Sequence, residues 1–184
     1  MANSTAPIRT PLKVEQNLLY FSTSSPWVRW FHDVEETSIQ VNRTQHVVST
    51  VQFDKTDATL ATVPGLTVNL EEGTYHFDVF LHTMLDLWGG LLVSMAGTAG
   101  ASNTIYQVMA VDNLTGTYGV CGRVTELSGA GVGSFGADSV WVEIDGTVTI
   151  TTPGTLEVRF AQCPIGPAGT SSVLQGSYMM VQEV

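Results

Sequence analysis

The stretch VWVEIDGTVTIT, residues 140–151, alternates apolar and polar side chains on both sides of Asp145-Gly146. Alternation with a period of two is typical of a half-buried β-strand, and Asp-Gly between two such runs is typical of a tight hairpin turn. The stretch therefore predicts a hairpin. Pro153-Gly154 predicts a second turn into the alternating run 156–160, which would give three neighbouring antiparallel strands.

The same alternation continues outward from this stretch. Residues 74–83 place Tyr75, Phe77, Val79 and Leu81 on one face and His76, Asp78, Phe80 and His82 on the other. The final run, 174–184, contains consecutive apolar residues at 178–181 and predicts a strand buried on both faces. Shorter strand candidates are 46–53, 66–70, 91–95, 104–111 and 118–125. About nine or ten strands without a long amphipathic helix indicate an all-β, antiparallel jelly-roll sandwich.

The first part of the chain differs from this body in its glycine content. All eighteen glycines lie at or beyond Gly65, which we expect to mark the first tight turn of the body. Residues 1–45 have no glycine with which to double back, so they predict an extended N-terminal arm, and residues 46–184 predict the sandwich. Ser25-Pro26 has the order of a helix N-cap followed by a first-turn proline. The large apolar side chains expected to anchor the arm, on its own body or on a neighbouring protein, are Tyr20, Phe21, Trp27, Trp30 and Phe31.

Charge supports the same division. Residues 1–45 carry four bases and four acids, whereas residues 46–184 carry three bases and thirteen acids, so the whole net charge of −10 belongs to the body. An acidic surface repels phosphate backbones, and we expect no nucleic-acid partner. The longest apolar stretch, 84–95, is too short to span a bilayer. The start of the chain has no basic stretch leading into an apolar run, so we expect no membrane partner and no secretory signal.

The sequence gives little support for a nucleotide-binding, metal-binding or catalytic motif. The glycines of residues 131–136 match GxGxxG, but the next segment predicts a strand instead of the helix that a phosphate loop must open. His76 and His82 share a strand face about 20 Å apart, too far to bind one ion, although Asp78 could pair with His76. A Gly-x-Ser-x-Gly elbow is absent. We expect no enzyme activity, no cofactor and no metal, and Cys121 and Cys163 to be free thiols that could nevertheless pair.

Four short stretches of the body resemble a known module: residues 58–68, 73–77, 154–162 and Gly176-Ser177-Tyr178. Together they make residues 58–184 similar to the jelly-roll modules of bacteriophage structural proteins, which resemble the C1q and tumour-necrosis-factor group. The resemblance implies a homotrimer in which each subunit presents one sandwich face to a threefold axis. It also implies that the glycine-rich stretches 97–100 and 129–136 are end loops.

Three functions follow from this resemblance. The first is a capsid decoration, or cement, protein, made in the host cytoplasm and located on the outer capsid surface, whose arm binds the major capsid protein. Tyr178 and Met180 are the expected trimer-interface residues. The second is the tip of a head or tail fibre, in which Trp141 and the glycine-rich loops bind host-surface glycans. The third, an extracellular cytokine-like ligand, conflicts with the missing secretory signal.

Overall fold

The computed structural model describes residues 13–15, 18–20, 44–85, 89–112, 118–128, 132–135, 138–164 and 169–184. The chain divides into two compact units, Met1–Arg43 and Thr44–Val184. Within the described residues all regular structure is β-strand. None of the described residues forms a helix long and apolar enough to cross a membrane.

The described residues contain fourteen strands, two in the first unit and twelve in the second, against the nine or ten that the sequence predicted for the body. They are β1 Lys13–Glu15, β2 Leu18–Tyr20, β3 Thr44–Val48, β4 Phe53–Lys55, β5 Ala61–Leu70, β6 Gly73–Leu85, β7 Gly89–Ala96, β8 Gly100–Asp112, β9 Tyr118–Val124, β10 Val132–Phe135, β11 Asp138–Thr152, β12 Gly154–Pro164, β13 Ser171–Val173 and β14 Tyr178–Glu183.

The first unit contains an antiparallel pair. β1 pairs with β2, with Lys13 opposite Tyr20, so the expectation that this segment would not double back is wrong for residues 13–20. Asparagine tolerates left-handed turn conformations better than other residues with a side chain, so a segment without glycine can still form an antiparallel pair. Phe21, Trp27, Trp30 and Phe31 lie outside the described residues, and so does the segment at Ser25-Pro26 for which the sequence predicts a helix start. Of Tyr20 only the backbone is described. The anchoring role of these residues stays a prediction.

The second unit is a sandwich of two antiparallel sheets, which confirms the predicted fold class. The larger sheet has the order β3-β14-β6-β11-β8-β9, and β13 joins it between β6 and β4. The smaller sheet has the order β10-β7-β12-β5. β6 behaves as predicted: Tyr75, Phe77, Val79 and Leu81 are at most 5% exposed because they face the core between the sheets.

The predicted hairpin at Asp145-Gly146 is absent. Residues 138–152 form one continuous strand, β11, which pairs with β6 on one side and with β8 on the other. Gly146 is an inward-facing position in the middle of this strand, and a Cβ there would lie 2.3 Å from the Cβ of Tyr106. The glycine is therefore required by the close approach of a neighbouring strand, a second use of strand glycine besides the turn.

The turn at Pro153 is present, but it carries the chain from one sheet to the other. β11 is central in the larger sheet and β12 is central in the smaller one, so the three neighbouring strands predicted from residues 140–160 do not form. Each strand buries alternate side chains in the shared core. The apolar pattern is therefore the same for two strands that pair within one sheet and for two strands that face each other across the sandwich.

Three further expectations need correction. Gly65 lies within β5, not in a turn: its φ is +84°, and the register of β5 against β12 shifts around it, as in a β-bulge. The predicted loop 129–136 contains β10, which pairs with β7. β14 is not buried on both faces, because Met179 and Val181 are buried while Met180 is exposed.

Candidate interaction face

One face of the larger sheet points away from the core, and we call it the outer face. Its residues come from alternate positions of β3, β14, β6, β11, β8 and β9, and the strand registers arrange them in rows. One row runs Val48, Tyr178, Phe80, Glu143; the next runs His46, Met180, Asp78, Asp145, Gln107, Arg123.

Exposed hydrophobic side chains concentrate on the outer face. Of the seven large hydrophobic residues exposed in the described part of the chain, five lie there: Val48, Met84, Ile105, Trp141 and Met180. The opposite surface of the sandwich, on the smaller sheet, carries exposed Thr67 and Asn69 and the Arg159–Glu157 ion pair. The exposed large hydrophobic side chains of the described sandwich are therefore concentrated on the larger sheet, where they lie among charged residues; exposed apolar patches with a polar surround are typical of interaction surfaces.

The aromatic rings of the outer face form a connected series. His46 lies 5.6 Å from Tyr178, measured between ring centroids, and Tyr178 stacks on Phe80 at 5.7 Å. Phe80 meets Trp141 edge-on at 4.9 Å, and Trp141 stacks on His82 at 4.8 Å. Each ring packs against the next, so these side chains restrict one another's positions within a single chain.

Tyr178 and Met180, the expected trimer-interface residues, both lie on the outer face. Tyr178 is half-buried between His46 and Phe80, and Met180 is 37% exposed beside Asp78. Gly176 precedes them with a φ of +91°, and Ser177 is fully buried. The Gly-Ser-Tyr stretch thus combines a turn, a buried hydrogen-bonding residue and an outer-face aromatic.

Next to the aromatic series lies a compact histidine–carboxylate cluster, made of His76, Asp78 and Asp145. His76 Nε2 is 3.0 Å from Asp145 Oδ2, and His76 Nδ1 is 3.6 Å from Asp78 Oδ2. The three ligand-type atoms lie within 4.8 Å of one another. Asp78 therefore lies close enough to pair with His76, as the sequence allowed, and Asp145 joins them because β11 places Asp145 directly opposite Asp78.

Partial burial and the neighbouring acids change the ionisation of Asp78. Partial burial is the main cause that raises the pKa of this carboxyl above its usual value of 3.8, and a hydrogen bond with Asp145 adds to it. The charges of Asp145 and Glu143 raise the pKa further, whereas His76 opposes the change. Two carboxyl groups directly opposite each other on paired strands destabilise the pair, since like charges repel.

A groove of about 430 Å³ opens beside the cluster. Val79 and Ile144 line part of this groove, and acidic, polar and apolar residues of the outer face line the rest. The carboxylates are Asp78, Glu143 and Asp145, and the larger apolar side chains are Phe80, Met109, Tyr178 and Met180. The groove therefore offers negative charge and apolar surface together.

Other predicted sites remain apart from this cluster. His82 stacks on Trp141 and does not join His76, as the strand spacing predicted. Gly133 lies in β10, so the glycines of 131–136 are not followed by a helix within the described residues. Trp141 lies inside β11, in the alternating run where the sequence placed it. Cys163 is a free thiol, and the side chain of Cys121 is outside the described part of the chain.

Sequence reasoning missed Asp145 because its neighbour Gly146 was interpreted as a turn residue. The positions of the apolar residues within 140–151 already argue against this turn. In a two-residue hairpin at 145–146, Ile144 would face Thr147 and Val142 would face Thr149, which pairs apolar with polar residues. An unbroken strand keeps every even position from 140 to 150 on the core side, as observed.

No family model and no curated protein matches this sequence. Among solved structures the chain is similar to one described as the infectious bursal disease virus Gx strain, with 12% identity and a TM-score of 0.39. It is also similar to the crystal structure of the T13 particle of that virus, with 13% identity and a TM-score of 0.40. Both matches cover 95% of this chain but only 38% and 35% of the viral chains, so this chain spans little more than a third of their length.

Proposed function

We propose that this chain is a virion structural protein of the capsid-decoration type, which forms a homotrimer through the outer face and binds the head shell through residues 1–45. The observation that carries the proposal is the concentration of exposed hydrophobic side chains on that single face. The resemblance of residues 58–184 to phage jelly-roll modules supports the trimeric state and the virion location.

The outer face can supply the larger part of each subunit contact. Its six ordered strands span about 25 Å across, and its longest strands extend about 45 Å, so the face covers on the order of 1,000 Å². A standard interface takes about 800 Å² from each partner, and because a trimer subunit has two neighbours, the outer face would supply roughly 500 Å² to each contact, the larger part of it. Burial of apolar area there, at about 25 cal/mol per Å², is the driving force for assembly. A rigid aromatic series lowers the entropic cost of association, since these side chains are already ordered.

The trimer is tested by adding charge to the outer face. Met180→Glu places a carboxylate beside Asp78 at an exposed strand position, while Thr67→Glu makes a similar change on the smaller sheet. We expect light scattering after size-exclusion chromatography to give a trimer for the wild type and Thr67→Glu and a monomer for Met180→Glu. A monomeric wild type, or a trimeric Met180→Glu variant, would contradict the interface.

The arm is tested on particles. Removal of residues 1–43, which leaves β3 intact from Thr44, should give a trimeric body that no longer binds purified heads that lack this protein, whereas the full chain saturates them. Occupancy is measured by quantitative gel densitometry. Unchanged occupancy of the truncated chain would contradict the anchoring role, provided that its trimeric state is verified in the same sample.

The alternative is a fibre tip that binds glycans, and the exposure of Trp141 favours testing it. The body would then bind a subset of glycans on an array, and Trp141→Ala would abolish that binding. If the chain is a decoration protein, neither the wild-type body nor its Trp141→Ala variant should bind glycans on the array.

A further inference from the structure

We propose that His76, Asp78 and Asp145 form a binding site for a divalent transition-metal ion, with Zn²⁺ as the best-fitting ion. All three ligands come from one chain, so the site needs no partner subunit, although it lies on the outer face that the proposed trimer would cover. The sequence predicts no metal, and the pairing of β6 with β11, which brings Asp145 beside the other two residues, is the reason to revise that expectation.

The donor set has the composition of a metal site. One imidazole nitrogen and two carboxylate oxygens, all within 4.8 Å of one another, give three protein ligands from two neighbouring strands. Zn²⁺ binds both imidazole nitrogen and carboxylate oxygen, and its open sites have three protein ligands with a water in the fourth position. The imidazole favours a transition metal, because Mg²⁺ and Ca²⁺ prefer oxygen ligands alone. The adjacent groove provides space for the fourth ligand.

Charge balance gives a second and separate argument. Asp78, Asp145 and Glu143 line one groove, yet no lysine or arginine is paired with them among the described ion pairs. Lys55 is paired with Asp57, and Arg159 with Glu157. On the outer face, Arg123 stands opposite Gln107, which separates it from Asp145 by one strand. Their described basic neighbour is His76, which is charged only when protonated, and a bound dication would supply positive charge to all three carboxylates.

Backbone geometry makes the site ready for the ion. Asp78 and Asp145 are directly opposite on β6 and β11, and His76 lies one alternation along β6 on the same face. Both strands are in the middle of the larger sheet, so the positions of the three Cα atoms are fixed by pairing on both sides. Only side-chain rotations are needed to replace the imidazole–carboxylate contacts by contacts to metal, and the ion would then cross-link β6 and β11.

The site is tested with the full chain, freed of metal by EDTA and dialysed. Isothermal titration calorimetry with ZnCl₂ should give one saturable site per chain that MgCl₂ does not occupy, and Zn²⁺ should raise the thermal unfolding temperature. Asp145→Asn and His76→Gln should each weaken Zn²⁺ binding by roughly tenfold or more, because the loss of even an outer ligand partner weakens metal sites by about 10- to 100-fold.

Asp54→Asn is the matched control, since it also removes one exposed carboxylate from the larger sheet but far from the cluster. This control should retain wild-type Zn²⁺ affinity. The absence of saturable binding to the wild type, or equal affinity in wild type, His76→Gln and Asp145→Asn, would overturn the site. Circular dichroism of each metal-free variant verifies the fold, so that a loss of binding is not mistaken for unfolding.

Discussion

Tyr106 lies directly opposite Gly146 on the paired strands β8 and β11, on the core side of the larger sheet. The missing side chain at Gly146 lets Tyr106 approach Phe77 on the next strand, with 6.1 Å between the ring centroids. The Tyr106 hydroxyl then accepts a hydrogen bond from the backbone N–H of Met95 in the smaller sheet, at 3.3 Å. One glycine therefore determines how an aromatic residue connects the two layers.

Gly146→Ala should destabilise the body by about 1–3 kcal/mol, because a methyl group would overlap Tyr106 in a packed core. The measurement is the urea midpoint and slope of equilibrium unfolding. Gly73→Ala is the control: it also changes a strand glycine, but its nearest neighbours are side-chain atoms at 3.3 Å that can move. Equal losses of stability in the two variants would contradict the packing role of Gly146.

Ser177→Ala should cost about 1–3 kcal/mol, because the fully buried Ser177 hydroxyl accepts a hydrogen bond from the backbone N–H of His82 and donates one to the carbonyl of Leu174. Without it, the His82 N–H loses its partner where β14 begins. Thermal and urea unfolding measure the effect. Ser102→Ala changes an exposed serine of β8 and should be neutral. A neutral Ser177→Ala variant would show that this hydroxyl does not stabilise the turn.

Asp78→Asn should increase stability at neutral pH. The raised pKa of Asp78 means that the folded state binds this proton more tightly than the unfolded state. The free energy of unfolding therefore falls as pH rises from the usual value of 3.8 through the raised value, and the full penalty is present at neutral pH. The asparagine variant lacks this penalty, so its advantage over the wild type should be present at pH 7 and disappear in acid.

Asp54→Asn should change the free energy of unfolding in the opposite direction. Hydrogen bonds from the side chains of Gln52 and Ser172 lower the pKa of Asp54, so its carboxylate stabilises the fold above the usual pKa, and this contribution is lost as pH falls through the lowered value. Asp54→Asn should therefore lose stability at neutral pH. Both variants are compared by urea unfolding in EDTA from pH 3 to 7. A common pH dependence for Asp78→Asn, Asp54→Asn and wild type would contradict the assignment.

The sequence allowed the fold class to be predicted because a half-buried strand leaves a period of two, as in the buried Tyr75, Phe77 and Val79 of β6. It did not reveal which strands pair, since β11 and β12 have similar patterns although they belong to different sheets. The candidate site was only half predicted. His76 and Asp78 share a strand and could be related by spacing, whereas Asp145 reaches them through a pairing between residues 67 positions apart.

The positions of β11 and β12 also constrain how the chain can fold. They are consecutive in the sequence, each is central in its sheet, and both come after residue 137. During synthesis, β5 to β10 therefore emerge before the strands that hold them together. Contacts of this kind are distant in sequence, so the body should fold slowly and only after most of the chain has been made. A chain that stops before β11 would keep unpaired strand edges in both sheets and would be prone to aggregate.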